Sequence, residues 1–120
     1  MQTYKELIVW QKSTTLAREI YLLTDKFPKS EMFGLVSQMR RAAVSISSNI
    51  AEGSARGHRA EYIQFLRVSF GSAAELETQL ILCRELSLIG AEESKQAEQD
   101  LQEVLRMLNK LISSLSEKKS

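Results

Sequence analysis

Apolar residues along this chain recur at helical spacing, in four blocks separated by short polar breaks. The first block predicts a helix over about Val9 to Lys26, with Trp10, Ala17, Ile20, Tyr21 and Thr24 on one face and Ser13 and Leu16 beside them. It stops at "DKFPKS", where Pro28 disfavours a helical Phe27 and Ser30 offers a cap for the next helix. The second runs over about Glu31 to Ala55, striped by Leu35, Met39, Ala42, Ala43, Ile46 and Ile50, with Gly53 and Gly57 as stops. The third runs over about Arg59 to Leu88, with Tyr62, Phe65, Leu66, Ser69, Ala73, Leu76, Leu80 and Cys83 on one side and Gly90 as a left-handed end. The fourth runs over about Glu92 to Glu117, where Ala97, Leu101, Val104, Leu108, Leu111 and Leu115 step by four and three, widened by Leu105 and Ile112. The tail "SEKKS" is expected to fray. No segment alternates long enough for a strand. Short connections between amphipathic helices predict an all-α, antiparallel up-down-up-down four-helix bundle.

The third helix carries more apolar surface than a bundle needs. Ile63, Phe70, Ala74, Ile81 and Leu88 form a second line beside the main stripe. The two lines together cover about half the circumference, whereas one bundle face takes about a third. The surplus predicts a homo-oligomer. Gly71, Ser72, Ala73 and Ala74 add a patch of small residues. A glycine inside a helix costs about 1 kcal/mol relative to alanine, which close approach by another backbone would offset; the alternative is a tolerated glycine with no packing role.

Composition narrows the class. The 120 residues suit a single domain spanning 1–120, and 43% hydrophobic with 26% charged residues argues against disorder. One proline and five glycines leave few breakers, in keeping with long helices. Cys83 is the only cysteine, so an intrachain disulfide is excluded, and a reducing cytoplasmic setting with Cys83 as apolar filler is expected. The opening "MQTYKELIVWQKS" is broken by charges, so no secretory leader is expected, and no apolar run approaches the roughly 20 residues that span a bilayer. Net charge is +1 and unevenly spread: residues 1–70 hold ten Lys/Arg against six Asp/Glu, residues 71–120 six against nine.

The stretch "RRAAVSISSNIAEG", residues 40–53, is the chemical oddity of the chain. On a helical wheel Gln38, Arg41, Ser45, Ser48 and Glu52 fall together about 130° from the apolar stripe, flanked by Asn49. Serine and asparagine compete for backbone hydrogen bonds and form helices poorly, so their concentration calls for a reason. Three readings stand. Small polar residues let a neighbouring helix come close while hydrogen bonds satisfy the buried groups. Alternatively, Arg40 and Arg41, joined by Arg56, Arg59, Arg67 and His58, grip phosphates of RNA or DNA. Against that stand the near-neutral charge and the lack of interleaved aromatics. As a third reading, Ser45 or Ser48 is a nucleophile, but His58 is the only histidine and neither serine has a local base. No paired Glu-x-x-His motif supports a bundle metal site, and no glycine-rich phosphate loop is present. Glu52 and Arg56 are placed for an i, i+4 ion pair. Arg41 and Glu52 stand ~16 Å apart along one helix and could pair only across a subunit boundary.

The same residues resemble a known family: bacterial four-helix bundle proteins whose genes were first noticed inside intervening sequences of large-subunit ribosomal RNA. The resemblance covers nearly the whole chain. It rests on Val9-Trp10, Phe27-Pro28, Phe33-Gly34-Leu35, Gln38, Arg40-Arg41-Ala42-Ala43, Ser45-Ile46, Ser48-Asn49-Ile50-Ala51-Glu52-Gly53, and Gly71-Ser72 with Glu75 and Glu77. It implies an antiparallel bundle assembled into a ring, a pentamer, with no enzymatic activity. Related accessory proteins of diversity-generating retroelements are basic rings that bind nucleic acid and a reverse transcriptase. This chain departs from the pattern at Ser47, where many members have proline, and in its near-neutral charge. The reading is therefore a cytoplasmic, non-enzymatic ring that takes no cofactor, metal, membrane or small-molecule substrate and binds nucleic acid or a ribonucleoprotein. The alternative is a protein–protein scaffold with no nucleic-acid role. The candidate nucleic-acid residues are Arg40, Arg41, Arg56, Arg59 and Arg67. The candidate interface residues are Gln38, Ser45, Ser48, Asn49, Glu52, Gly53, Ile63, Phe70 and Ile81.

Overall fold

Thr3 caps a short 3-10 turn, Tyr4–Glu6, in a computed structural model that describes residues 3–117. Its hydroxyl accepts from the Lys5 N–H at 3.2 Å, and Glu6 Oε1 accepts from the Thr3 N–H at 3.2 Å. Helix α1 follows, Ile8–Thr24. Its buried line is Val9, Ser13, Leu16, Ile20 and Thr24, so the face is rotated from the expected one: Trp10 and Ala17 are half-buried and Tyr21 is exposed. Two hydroxyls sit in this buried line without penalty because each bonds its own helix. Ser13 Oγ donates to Val9 O at 2.6 Å and Thr24 Oγ1 to Ile20 O at 2.7 Å.

The α1–α2 corner departs most from expectation. α1 ends two residues early, Phe27 turns into the core, and Ser30 lies within a 3-10 turn, Lys29–Glu31, instead of capping a helix. A wide turn, Met32–Val36, comes next, with Gly34 off helical geometry (φ −109°, ψ −106°). Helix α2 therefore begins at Ser37, not near Glu31, and runs Ser37–Arg56. Leu35 falls in the wide turn and is only half-buried. Gly57, in the left-handed region at φ 78°, is the stop. Gly53 lies buried inside α2 and terminates nothing.

Helix α3, Arg59–Glu85, also ends early. The left-handed residue is Ser87 (φ 59°), not Gly90. The Leu88 N–H bonds Cys83 O at 2.9 Å and the Ser87 N–H bonds Arg84 O at 3.1 Å, the paired bonds that close a helix C-terminus. Gly90 instead opens helix α4, Ala91–Glu117: its N–H donates to Glu93 Oε1 at 3.1 Å and its carbonyl accepts from the Ser94 N–H at 3.2 Å. α4 continues through Glu117, and the rest of the "SEKKS" tail lies outside the described residues.

Four helices and no strand make up the described residues, and the molecule measures 51 × 21 × 21 Å. Cross-helix pairs set the register. Met39 meets Cys83, Ser45 meets Ser72, and Ile46 meets Ser69, so partner numbers fall along α3 as they rise along α2. Glu77 meets Gln102 and Arg84 meets Glu98 between α3 and α4, and Lys12 pairs with Glu103 between α1 and α4. Leu16, Ile20, Met39, Ile46, Ile50, Leu66, Leu76, Leu80, Leu101 and Leu108 fill the axis between them. Cys83 is buried and free, and burial pushes its thiol up to about 11, as befits an inert filler. No helix among the described residues is long and apolar enough to cross a membrane.

Candidate interaction surface

The residue 40–53 stretch divides once it is wound into α2. One part closes onto α3 of the same chain. Ser45 Oγ lies 2.8 Å from Ser72 Oγ, and Asn49 Nδ2 donates to Ser45 O at 2.8 Å and to Ser45 Oγ at 3.0 Å. One turn away Ser69 Oγ donates to Ile46 O at 2.8 Å. Hydroxyls short enough to lie flat between two helices make these bonds, and larger side chains would hold the helices apart. Gly53 marks the tightest approach. A Cβ there would lie 2.6 Å from Phe65 Cβ and 3.2 Å from Tyr62 Cδ1. Gln79 is buried along the same seam; its Nε2 reaches Glu75 Oε2 at 3.4 Å while its Oε1 has no partner. The remaining members of the polar stripe, Gln38, Arg41, Ser48 and Glu52, are exposed.

The five candidate arginines divide in the same way. Arg40 folds back onto α1: Nε donates to Thr24 Oγ1 at 3.0 Å, Nη2 to Tyr21 O at 3.3 Å, and the guanidinium stacks 4.6 Å from the Tyr21 ring. Asp25 lies 3.9 Å from it. Arg56 is a clasp over the α2–α3 corner, bonded to Glu52 at 3.0 Å and Glu61 at 3.3 Å, with its guanidinium 5.1 Å over Phe65. These hydrogen bonds and charges, Glu52 foremost, raise its pKa further. Arg41, Arg59 and Arg67 are exposed. Opposed numbering puts Arg41 near the level of Leu76, so Arg67 lies ~13 Å further along the bundle.

The apolar surplus of α3 also lies elsewhere than expected. Ile63 and Phe70 are half-buried against the chain's own core, and Leu88 packs there too. Ile81 is left open, 57% exposed. The larger uncovered set was missed: Val68 and Leu82 on α3, Leu86 just past its end, and Val44 on α2. Its signal was present, since Val68, Leu82 and Leu86 lie within about 40° of one another on the side away from the core. Gly71 sits between Val68 and Leu82 on that side, and a Cβ there would meet nothing within 4 Å. The close approach expected at Gly71 is therefore absent inside the chain and is found at Gly53 instead. An open groove of about 540 Å³ runs beside this surface, lined by Gln38, Arg41, Val44, Ser45, Ser72 and Glu75 among others. Phe33, 96% exposed, projects from the wide turn at one end of the bundle.

As chemistry, this surface offers contact. The Ser45 hydroxyl is engaged by Ser72 and Asn49, and His58 is exposed at the start of α3, beyond the Gly53 level of the seam. Among the described residues no group of three His, Cys, Asp or Glu side chains is placed to hold a metal ion.

The profile of the 23S rRNA-intervening sequence protein family matches residues 5–110. Among solved structures, a protein of unknown function from the S23 ribosomal protein family of Bacteroides thetaiotaomicron VPI-5482 is similar, at 27% identity and a TM-score of 0.80. The likeness covers 88% of this chain and 96% of that one. No curated protein matches the chain.

Proposed function

We propose that this chain, which belongs to the 23S rRNA-intervening sequence protein family, is a non-enzymatic, antiparallel up-down-up-down bundle that self-assembles through the outward side of α2 and α3. The observation that carries this reading is the uncovered pair Val68 and Leu82 on the Gly71 side of α3, with exposed Val44 of α2 lining the open groove beside them. Apolar area left in water is worth roughly 25 cal/mol per Å² once covered, and a second subunit is the cover always present with the first. A glycine without a neighbour lets that subunit's backbone come close. The assembly is a closed ring, a pentamer. The engaged Ser45 hydroxyl supports a role without catalysis, and the single cysteine supports a cytoplasmic setting.

Exposed Arg41, Arg59 and Arg67 favour a second reading, in which the ring also binds RNA, DNA or a ribonucleoprotein. One weak basic patch per subunit, repeated around a ring, becomes a multivalent one. Arg40 and Arg56 have no part in it, because α1 and the α2–α3 corner already hold them.

Sedimentation velocity at micromolar concentration tests the assembly. The wild type should sediment at about five times the 13.6 kDa chain mass, and Val68→Ser with Leu82→Ser should lower it without loss of helicity. A monomer in both overturns the reading. Anisotropy titration with RNA and DNA at low salt decides the partner. Arg41→Ala and Arg67→Ala should weaken binding and lower the salt slope by about one for each phosphate no longer neutralised. No binding by the wild type leaves the scaffold.

A further inference from the structure

Two carboxylates meet across the α1–α4 seam, on the far side of the bundle from the surface described above. Asp100 on α4 lines a cleft with Gln11, Lys12 and Thr15 of α1. Glu19, one turn beyond Thr15 on α1, feels the hydrogen bond and the charge of that carboxyl. Its Oε1 is buried and has no donor. Two ionised carboxylates cannot bond each other, because each can only accept. A single proton between them supplies the missing donor and removes one of two like charges. The surroundings do not neutralise the pair by other means. From α4, Gln96 Nε2 donates to Asp100 Oδ1 at 3.1 Å, a neutral contact. Of the cations nearby on α1, Lys12 is committed to Glu103 of α4 at 3.0 Å and Arg18 is exposed. Arg106 lines the same α4 groove as Asp100 and is exposed.

We propose that Glu19 and Asp100 share one proton that latches α1 to α4, and that losing it loosens this seam as the pH rises through neutrality. Burial first, then the hydrogen bond and the charge of Asp100, push the Glu19 carboxyl up to about 7, against a smaller pull downward from Arg18. The sign follows from linkage. In the unfolded chain this carboxyl loses its proton near 4.5, whereas the folded chain keeps it to about 7. Across that window the folded state binds more protons, so stability falls as pH rises and levels off above it. Glutamine at position 19 brings a permanent donor and no charge, and so mimics the latched form at every pH.

The test compares thermal unfolding of the wild type, Glu19→Gln and Asp100→Asn from pH 5 to pH 9, with carbon-detected NMR titration of the Glu19 carboxyl in the wild type. The wild-type midpoint should drop by several degrees between pH 5 and pH 8 relative to Glu19→Gln, which should be the more stable form at pH 8. Hydrogen exchange in α1, corrected for intrinsic rate, should speed up over the same window in the wild type alone. The Glu19 carboxyl should titrate near neutrality. Parallel pH profiles for wild type and Glu19→Gln, or a Glu19 carboxyl titrating at the ordinary value near 4.5, overturn the proposal. The NMR measurement reads the unaltered protein and does not depend on either variant folding.

Discussion

Helices α3 and α4 are both 27 residues long, yet they use their surfaces differently. α4 buries Ser94, Ala97, Leu101, Val104, Leu108 and Ile112 in one stripe and presents charge and amide groups elsewhere. None of the exposed large apolar side chains among the described residues belongs to it, whereas Val68, Ile81, Leu82 and Leu86 all belong to α3 or its C-terminal end. One stripe is therefore enough to hold a helix of this length in this bundle. The additional apolar residues of α3 stay in water in the isolated chain, and under the proposed assembly a second subunit covers them. α3 also trades large residues for small ones where it meets α2, through Ser69, Ser72 and Ala73.

Three substitutions probe that contrast. Leu108→Ala in α4 removes a fully buried side chain from the single stripe and should destabilise the bundle by about 3 kcal/mol. Chemical denaturation measures it, and a loss below about 1 kcal/mol would mean that α4 does not depend on its stripe. Gly53→Ala puts a methyl 2.6 Å from Phe65 Cβ. It should cost about 2 kcal/mol, since overpacking exceeds the ~1 kcal/mol gained in helix propensity. Gly71→Ala meets nothing within 4 Å and should do the reverse, stabilising the monomeric fold by up to ~1 kcal/mol. Measured at dilution, that opposite sign separates a glycine packed within the chain from one that faces outward. Weakened sedimentation of Gly71→Ala at higher concentration would then place the outward glycine in a subunit contact.

Periodicity alone located the four helices, and most ends lay within about three residues of where the breakers suggested. α4 was read best because its burial is a matter of spacing. The corner before α2 was misread, since a wide turn over Met32–Val36 has no strong local signature beyond Gly34. The end of α3 was misread for a different reason. Glycine preference pointed to Gly90, but Ser87 takes the left-handed position, where two backbone hydrogen bonds offset a penalty of ~1–2 kcal/mol. On the candidate surface, the Glu52–Arg56 pair was legible because it is local. The capture of Arg40 by Thr24 and Tyr21 was not, because it depends on which side of α2 faces α1. Gly53 has the ordinary look of a helix stop until Phe65 is placed against it.

The contacts at Ser45 and Gly53 lie eight residues apart on α2, ~12 Å along its axis. A single tight contact between two rods leaves them free to pivot about it. Two contacts at that separation fix the crossing angle and the axial offset together. The polar contact resists sliding, because Ser45 and Ser72 bond each other across the two helices, while the glycine contact sets how closely the rods approach at Phe65. Removing the polar contact should turn a fixed joint into a hinge, widening the range of angles that α3 presents to a neighbour before it greatly lowers the melting temperature. In the proposed closed ring that angular error would be repeated at every joint, so ring size should drift in Ser45→Ala even when each subunit stays folded.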